Sequence, residues 1–191
     1  MFIRHFPWGL WLGRGAAVYH EPLMSDPSAI LAAIEALGVH YERIDIDPAF
    51  ADTAAFCEKY GYPPNKSANT IIAASKRGPK KFVACVVLAT QLLDVNKRVR
   101  KLMEVSRASF ASAEQMMELT GMQIGGVTPF SLPDDLPLYV DDRVMRCDWI
   151  ILGGGSRDMK IKISPEVFVK LGAEVVSDLG FEPRATPRES V

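Results

Sequence analysis

Histidine is almost absent from this chain. His5, His20 and His40 are the only three, and none follows residue 40. A Ser-His-Asp or Cys-His apparatus would need an imidazole from the amino-terminal quarter to reach any site built later in the chain. Cysteine is equally sparse: Cys57, Cys85 and Cys147 lie far apart, in apolar or helical stretches. That spacing argues against a disulfide framework or a zinc site and suits small buried hydrophobes in a reducing compartment, here the cytoplasm. Long hydrophobic runs are lacking too. The apolar stretch from Met1 to Leu12 is interrupted by Pro7 and Gly9 and is too short to span a membrane. Net charge is close to nil, with 22 lysines and arginines against 23 acids. A globally basic nucleic-acid binder is not indicated, and only local cationic patches remain for that purpose.

What is present suits one folded domain. A chain of 191 residues with 48% hydrophobic and 24% charged residues can bury a single core. Residues 1–24 read as an extension, either an arm for a partner subunit or a stretch upstream of a natural start at Met24. Residues 25–180 carry the periodic segments. Residues 181–191, with mixed charge and Pro183 and Pro187, read as a tail.

Within 25–180, Asp26-Pro27 opens a helix whose Ile30, Ile34 and Leu37 share a face, and Gly38 ends it. Val39 to Ile46 is strand-like, near a sheet edge. Asp52 or Thr53 caps a second helix through Phe56 and Tyr60. Ala68–Ala74 and Phe82–Ala89 form a hairpin around the turn Ser75-Lys76-Arg77-Gly78-Pro79-Lys80-Lys81. Asp94 caps a helix with Val95, Val99, Leu102 and Met103 inward and Lys97, Arg98, Arg100 and Lys101 outside or flanking. Arg107–Ala111 reads as a strand, and Ser112-Ala113-Glu114-Gln115 as a capping box for a helix ending at Gly121. Leu138–Val140, Trp149–Leu152 and Met159–Ile163 are further strands, the last with Lys160 and Lys162 on a wet face. A short helix over Asp141–Met145, a last helix after Ser164-Pro165-Glu166 and a strand at Ala173–Val176 complete the pattern. It predicts an α+β (α/β mixed) domain with a large mixed, mostly antiparallel sheet surrounded by helices.

Two glycine clusters stand beside buried strands: Gly125-Gly126-Val127-Thr128-Pro129 and Gly153-Gly154-Gly155. Adjacent glycines permit positive φ and close approach of main chain to a ligand. Together they suggest one cleft lined largely by backbone. The cations Lys76, Arg77, Lys80, Lys81, Lys97 and Arg98 read by default as solvated surface and alternatively as phosphate contacts.

In order and spacing these parts resemble the YbaK and prolyl-tRNA synthetase-associated editing domains. The similarity runs over residues 28–179 and is carried by Glu118-Leu119-Thr120-Gly121, Gly125-Gly126-Val127-Thr128-Pro129, Leu136 to Asp141, Gly153 to Arg157, Ser164-Pro165-Glu166 and Gly172 to Val176. The resemblance implies hydrolysis of the ester of mischarged aminoacyl-tRNA, a small amino acid on tRNA for proline being the family pattern, with no cofactor or metal. It also implies the tRNA acceptor end as partner, with an aminoacyl-tRNA synthetase alongside and no membrane. It would make Gly125 and Pro129 the bounds of the amino-acid pocket, with Gly126, Val127 and Thr128 in its wall, and place Gly153, Gly154 and Gly155 at the ester or terminal adenosine.

One departure is chemical. Where the family carries its active-site lysine, followed by threonine, this chain has Asn69-Thr70. On the opposite strand, Lys160 replaces a residue that is typically acidic. Asn69, Thr70 and Lys160 are therefore the candidate catalytic set, with Lys160 either restoring a cation to the cleft or pointing to water; Lys66 is a weaker substitute. The alternative function is a catalytically silent module that binds aminoacyl-tRNA, an aminoacyl nucleotide or a protein.

Overall fold

The computed structural model describes residues 27–183. The extension, the capping role expected of Asp26 and the tail beyond residue 183 lie outside the described residues. The described residues begin with helix α1 (Pro27–Ala36), which buries Ile30 and Ile34 and is followed by Gly38 in the left-handed region (φ 63°). Strand β1 (Tyr41–Asp45) and a 3-10 turn (Pro48–Phe50) lead to α2 (Thr53–Tyr60). After a second 3-10 turn (Pro64–Lys66), β2 (Ala68–Ser75) and β3 (Phe82–Leu88) form the expected antiparallel hairpin.

A two-residue strand, β4 (Leu92–Leu93), precedes the helix capped by Asp94. That helix is π-wound at first: the Val99 N–H reaches the carbonyl of Asp94, five residues back, at 3.0 Å, before α3 (Arg100–Leu102) closes it. Val95, Val99 and Met103 are buried, as their spacing requires. Strand β5 (Ala108–Phe110) follows, then α4 (Ala113–Thr120), which carries both hydrogen bonds of the capping box and stops at left-handed Gly121. The remaining elements are β6 (Leu138–Asp141), α5 (Asp142–Met145), β7 (Ile150–Gly153), β8 (Met159–Ile163), α6 (Val167–Lys170), β9 (Glu174–Val176) and β10 (Gly180–Phe181).

The fold class is the α+β domain anticipated, and its largest sheet is mixed. The strands sort into three sheets, however. The five-stranded sheet runs β5-β2-β3-β6-β9, antiparallel through β3 and parallel from β3 to β9. A separate antiparallel sheet runs β1-β8-β7, so β1 is the edge strand its charged residues foretold. The pair β10-β4 is the third, and its Phe181–Leu92 pairing carries the ordered fold one residue into the segment read as tail.

Layering follows from the strands' alternation. One face of the large sheet packs Ala73, Val83, Cys85 and Val87 against the π-wound helix. The other packs Ile72 and Ala84 against Met116 of α4, and Val86 and Leu88 join Ile30, Ile161 and Phe168 in the main core. A buried buckle holds β6 to β10. The Asp141 carboxylate takes Arg143 Nε and Nη2 at 2.8 and 3.1 Å and the Gly180 N–H at 3.0 Å. Burial pushes that carboxyl up, yet the Arg143 guanidinium and these amides outweigh it and hold it below the usual carboxylate range.

Candidate functional site

The site forms where the edge of β2 is left uncovered. Toward β3, the Ser67 carbonyl accepts from the Ala89 N–H (2.7 Å), and the Ser75 N–H donates to the Lys81 carbonyl (2.9 Å). On the other edge, the Ile72 carbonyl accepts from the Ala111 N–H (2.9 Å). Strand alternation therefore turns the main-chain groups of Thr70 to this second edge. There β5 pairs only with Ala73–Ser75, and β7 pairs only through the isolated Ser67–Ile151 bridge. Thr70 faces the gap between them. Its hydroxyl is buried and has no hydrogen-bond partner.

That gap opens into a cavity of about 560 Å³. Ile71, Ile72, Ala111 and Met116 are among its apolar walls, and Asn69, Thr70, Gly125, Val127, Gly153 and Lys160 also line it. Two charged side chains line it, Asp52 and Lys160. A mostly apolar hollow with a few convergent polar groups is the usual form of a small-molecule site.

Both glycine turns meet here, and they interlock. The Gly155 N–H donates to the Gly126 carbonyl at 2.8 Å. A Cβ on Gly153 would run into the carbonyl oxygens of Val127 and Gly126, and one on Gly126 would meet the Ser156 carbonyl oxygen at 2.6 Å. Gly125 has φ of 90°, and a Cβ there would meet Arg157 Nη1 at 2.5 Å. Arg157 pins this turn from outside, donating to the carbonyls of Ile124 (2.8 Å) and Pro48 (3.1 Å).

Lys160 sits at the centre. Strand β8 is the middle of its sheet, and the α2 region covers the face expected to be wet, so Lys160 is only 5% exposed. Lys162, two residues on, remains half-buried at the surface with Glu42 (2.9 Å). The Lys160 ammonium donates to the carbonyls of Ala51 (2.6 Å) and Gly125 (3.1 Å) and lies 5.7 Å from the centre of the Phe56 ring. Burial pulls its pKa down to about 8, against a smaller upward pull from Asp52. Asn69 accepts from the Thr53 hydroxyl at 2.6 Å, tying β2 to the start of α2. Lys66 turns away, to Asp148 and the face of Trp149, and does not line the cavity.

Several sequence-level site residues fall elsewhere. Gly126, Thr128, Pro129, Gly154 and Gly155 are not among the lining residues. The Gly154 and Gly155 amides are tied to the carbonyls of Met159 and Gly126, so these glycines allow the turns to pack instead of facing a ligand. Thr128 is fully buried behind the wall, its N–H directed at the Met122 sulfur. None of the predicted cations lines the cavity. Lys76, Arg77, Lys80 and Lys81 stand at the far end of β2, about 23 Å along the strand from Asn69. Arg98 lines a surface hollow with Tyr139 and Glu174, beside the β6–β9 pair. Sequence reasoning missed Asp52 as a cavity residue, because an aspartate before a helix reads as a cap. Its side chain makes no capping bond.

Fold and cavity define an α+β domain that presents one mostly apolar cleft closed by a buried ammonium. A family model described as "Aminoacyl-tRNA editing domain" matches residues 47–171, and the chain belongs to that family. It is 33% identical over 92 residues to the uncharacterised protein YwhH of Bacillus subtilis, covering 48% of this chain and 58% of YwhH. It is 25% identical over 115 residues to the "Putative Cys-tRNA(Pro)/Cys-tRNA(Cys) deacylase EbsC" of Enterococcus faecalis, covering 60% of this chain and 68% of that protein. Among solved structures it is similar to "a putative trans-editing enzyme for prolyl tRNA synthetase", with a TM-score of 0.70 at 21% identity, covering 82% of this chain and 97% of that one. It is also similar to hypothetical protein APE2540, with a TM-score of 0.72 at 24% identity, covering 80% and 99%. Those two likenesses concern the fold. Among the described residues no helix is long and apolar enough to cross a membrane, and no group of three or more His, Cys, Asp or Glu could hold a metal ion.

Proposed function

We propose that this chain is a trans-acting, cytoplasmic aminoacyl-tRNA deacylase that releases a small amino acid from mischarged tRNA, with tRNA for proline the first candidate and an aminoacyl-tRNA synthetase as its neighbour. The observation that carries this reading is the buried Lys160 ammonium in the same cavity as the uncovered main-chain edge of Thr70.

An aminoacyl ester is already activated, so a positioned water and a stabilised oxyanion suffice. Water adds to the ester carbonyl carbon, and the bond to the ribose oxygen breaks. The proton that the water gives up ends on that ribose oxygen, leaving a free amino acid and an intact terminal ribose. With a pKa of about 8, Lys160 is mainly charged at neutral pH. Its role is therefore to stabilise the oxyanion, not to act as base. The Thr70 N–H and hydroxyl and the Asn69 amide are the neutral donors on the opposite wall. Val127 and Ile72 bound the acyl side chain, which suits small residues that a synthetase discriminates poorly by binding.

Asp52 is the one carboxylate lining the cavity and is 69% exposed. In this mechanism it faces the substrate's α-ammonium. Asp52→Asn is expected to raise KM about fivefold for substrates with a free amine, the worth of an exposed ion pair, and to leave N-acetylated aminoacyl-tRNA unaffected. Initial rates on the paired substrates check this, and equal losses on both would remove Asp52 from the role.

The reading as a whole is tested with purified protein and a panel of mischarged tRNAs. Release of amino acid above a catalyst-free control supports it, and no release across the panel overturns it. The alternative, a silent binding module, is favoured by one observation: the family lysine position holds Asn69, whose oxygen is occupied by Thr53. Tight binding of aminoacyl-tRNA without turnover would select it.

A further inference from the structure

Two large apolar side chains stand exposed at the mouth of the cavity, Phe110 and Ile124, each 58% exposed. They come from different elements, the end of β5 and the loop before Gly125. Strand β5 is an edge strand of the large sheet. At its other end, about 10 Å back along the strand, Arg107 is joined to the hairpin tip through the Lys76 N–H, which donates to the Arg107 carbonyl at 2.9 Å. Arg107, Lys76 and Arg77 are all exposed, and none takes part in an ion pair among the described residues. Lys81, by contrast, is turned to the Met103 carbonyl and Lys80 to the Phe82 ring.

We infer that the exposed edge of β5 is the track for the unpaired 3′ end of the acyl-bearing RNA, with the last base stacked on Phe110 and the preceding phosphates on Arg107, Lys76 and Arg77. Unpaired cations continuous with an exposed aromatic are how proteins hold a single strand without reading its sequence. Continuity with the cavity supplies direction, since an ester bound between Thr70 and Gly125 places its nucleoside at the mouth. The inference rests on the deacylase reading for what occupies the cavity, but its test does not depend on turnover.

The probe is a fluorescein-labelled RNA hairpin with an unpaired 3′ CCA tail, measured by anisotropy beside the same hairpin trimmed blunt. Wild-type protein is expected to bind the tailed hairpin about tenfold tighter. The triple variant Lys76→Ala, Arg77→Ala, Arg107→Ala is expected to weaken tailed binding about tenfold and to flatten the dependence of log Kd on log salt by about two, the value for three phosphate contacts on single-stranded RNA. Phe110→Ala should abolish the preference for the tail without changing the salt slope, and Phe110→Trp should restore it. The double variant Lys97→Ala, Arg98→Ala should stay within about twofold of wild type. Equal binding of tailed and blunt hairpins by wild type overturns the inference, as does a larger loss from the Lys97 and Arg98 variant than from the triple. If wild type binds as expected yet releases no amino acid from any aminoacyl-tRNA, the hydrolase reading falls and the RNA track stands.

Discussion

Lys160→Met is expected to lower kcat for deacylation by a factor of about a hundred to a thousand, the usual loss when one oxyanion donor is removed, while barely moving stability at neutral pH. Magnitudes explain the split. Holding the ammonium at a pKa of about 8 instead of 10.5 costs the folded state about 3 kcal/mol. Methionine relieves that cost but leaves the carbonyls of Ala51 and Gly125 without their donor, at about 1–3 kcal/mol each when buried. The two effects roughly offset.

The pH dependence has opposite signs for folding and for catalysis. Below about pH 8 both folded and unfolded chains keep the Lys160 proton, and the cost is borne in full. Between about 8 and 10.5 the folded protein releases it while the unfolded chain retains it, so wild-type stability rises through this window. Lys160→Met should show no such rise from this position. Catalysis moves the other way, because a neutral amine stabilises an oxyanion less. The enzymatic rate above spontaneous hydrolysis should fall as pH passes about 8. Denaturant melts across this range and initial rates on one mischarged tRNA check both halves. A rate that is flat through pH 8 and indifferent to Lys160→Met would leave the lysine a structural tether only.

Gly153→Ala is expected to be the most damaging small substitution in the chain. Its Cβ would collide with the carbonyl oxygens of Val127 and Gly126. Both are main chain, and the Gly126 oxygen is held by the Gly155 N–H, so no flexible side chain can yield. The expected loss is about 3 kcal/mol, the upper end for overpacking. Deacylation should be lost with it, because separating the turns shifts Gly125 and Val127 in the cavity wall. Gly78→Ala is the control. It has positive φ (77°) but open space around it at the hairpin tip, and should cost only about 1 kcal/mol. Urea melts of the two variants decide. Similar midpoints would mean that the turns can part without consequence.

Much of this was legible because local signals repeat. The 3.6-residue spacing of Ile30 and Ile34, the capping box at Ser112 and the two apolar arms around Lys76–Lys81 each announce an element without knowledge of its partners. Strands Leu92–Leu93 and Gly180–Phe181 were invisible, since two residues carry no period. The division into three sheets was also hidden, because β1 pairs with β8 across more than a hundred residues and no pattern in either names the other. At the site, convergence of the glycine turns on one hollow was readable, but the role of each glycine was not. Gly154 and Gly155 serve packing, while Gly125, Gly153 and the edge of Thr70 face the space. Lys160 and Lys162 look alike in the strand, and only the covering by α2 separates a buried ammonium from a wet one. Phe110 presents the converse, an aromatic that resembles core in the sequence and stands in solvent in the fold.

The placement on β8 of the one buried lysine or arginine among the described residues also constrains what position 69 can carry. A lysine introduced at position 69 of this chain would bring a second ammonium into a hollow whose only carboxylate, Asp52, already leans toward Arg157 at 3.6 Å. Two ammonium groups in one partly enclosed hollow repel each other and raise the cost of keeping either charged. Position 69 therefore suits a neutral side chain such as Asn69 as long as Lys160 keeps its ammonium in the same hollow.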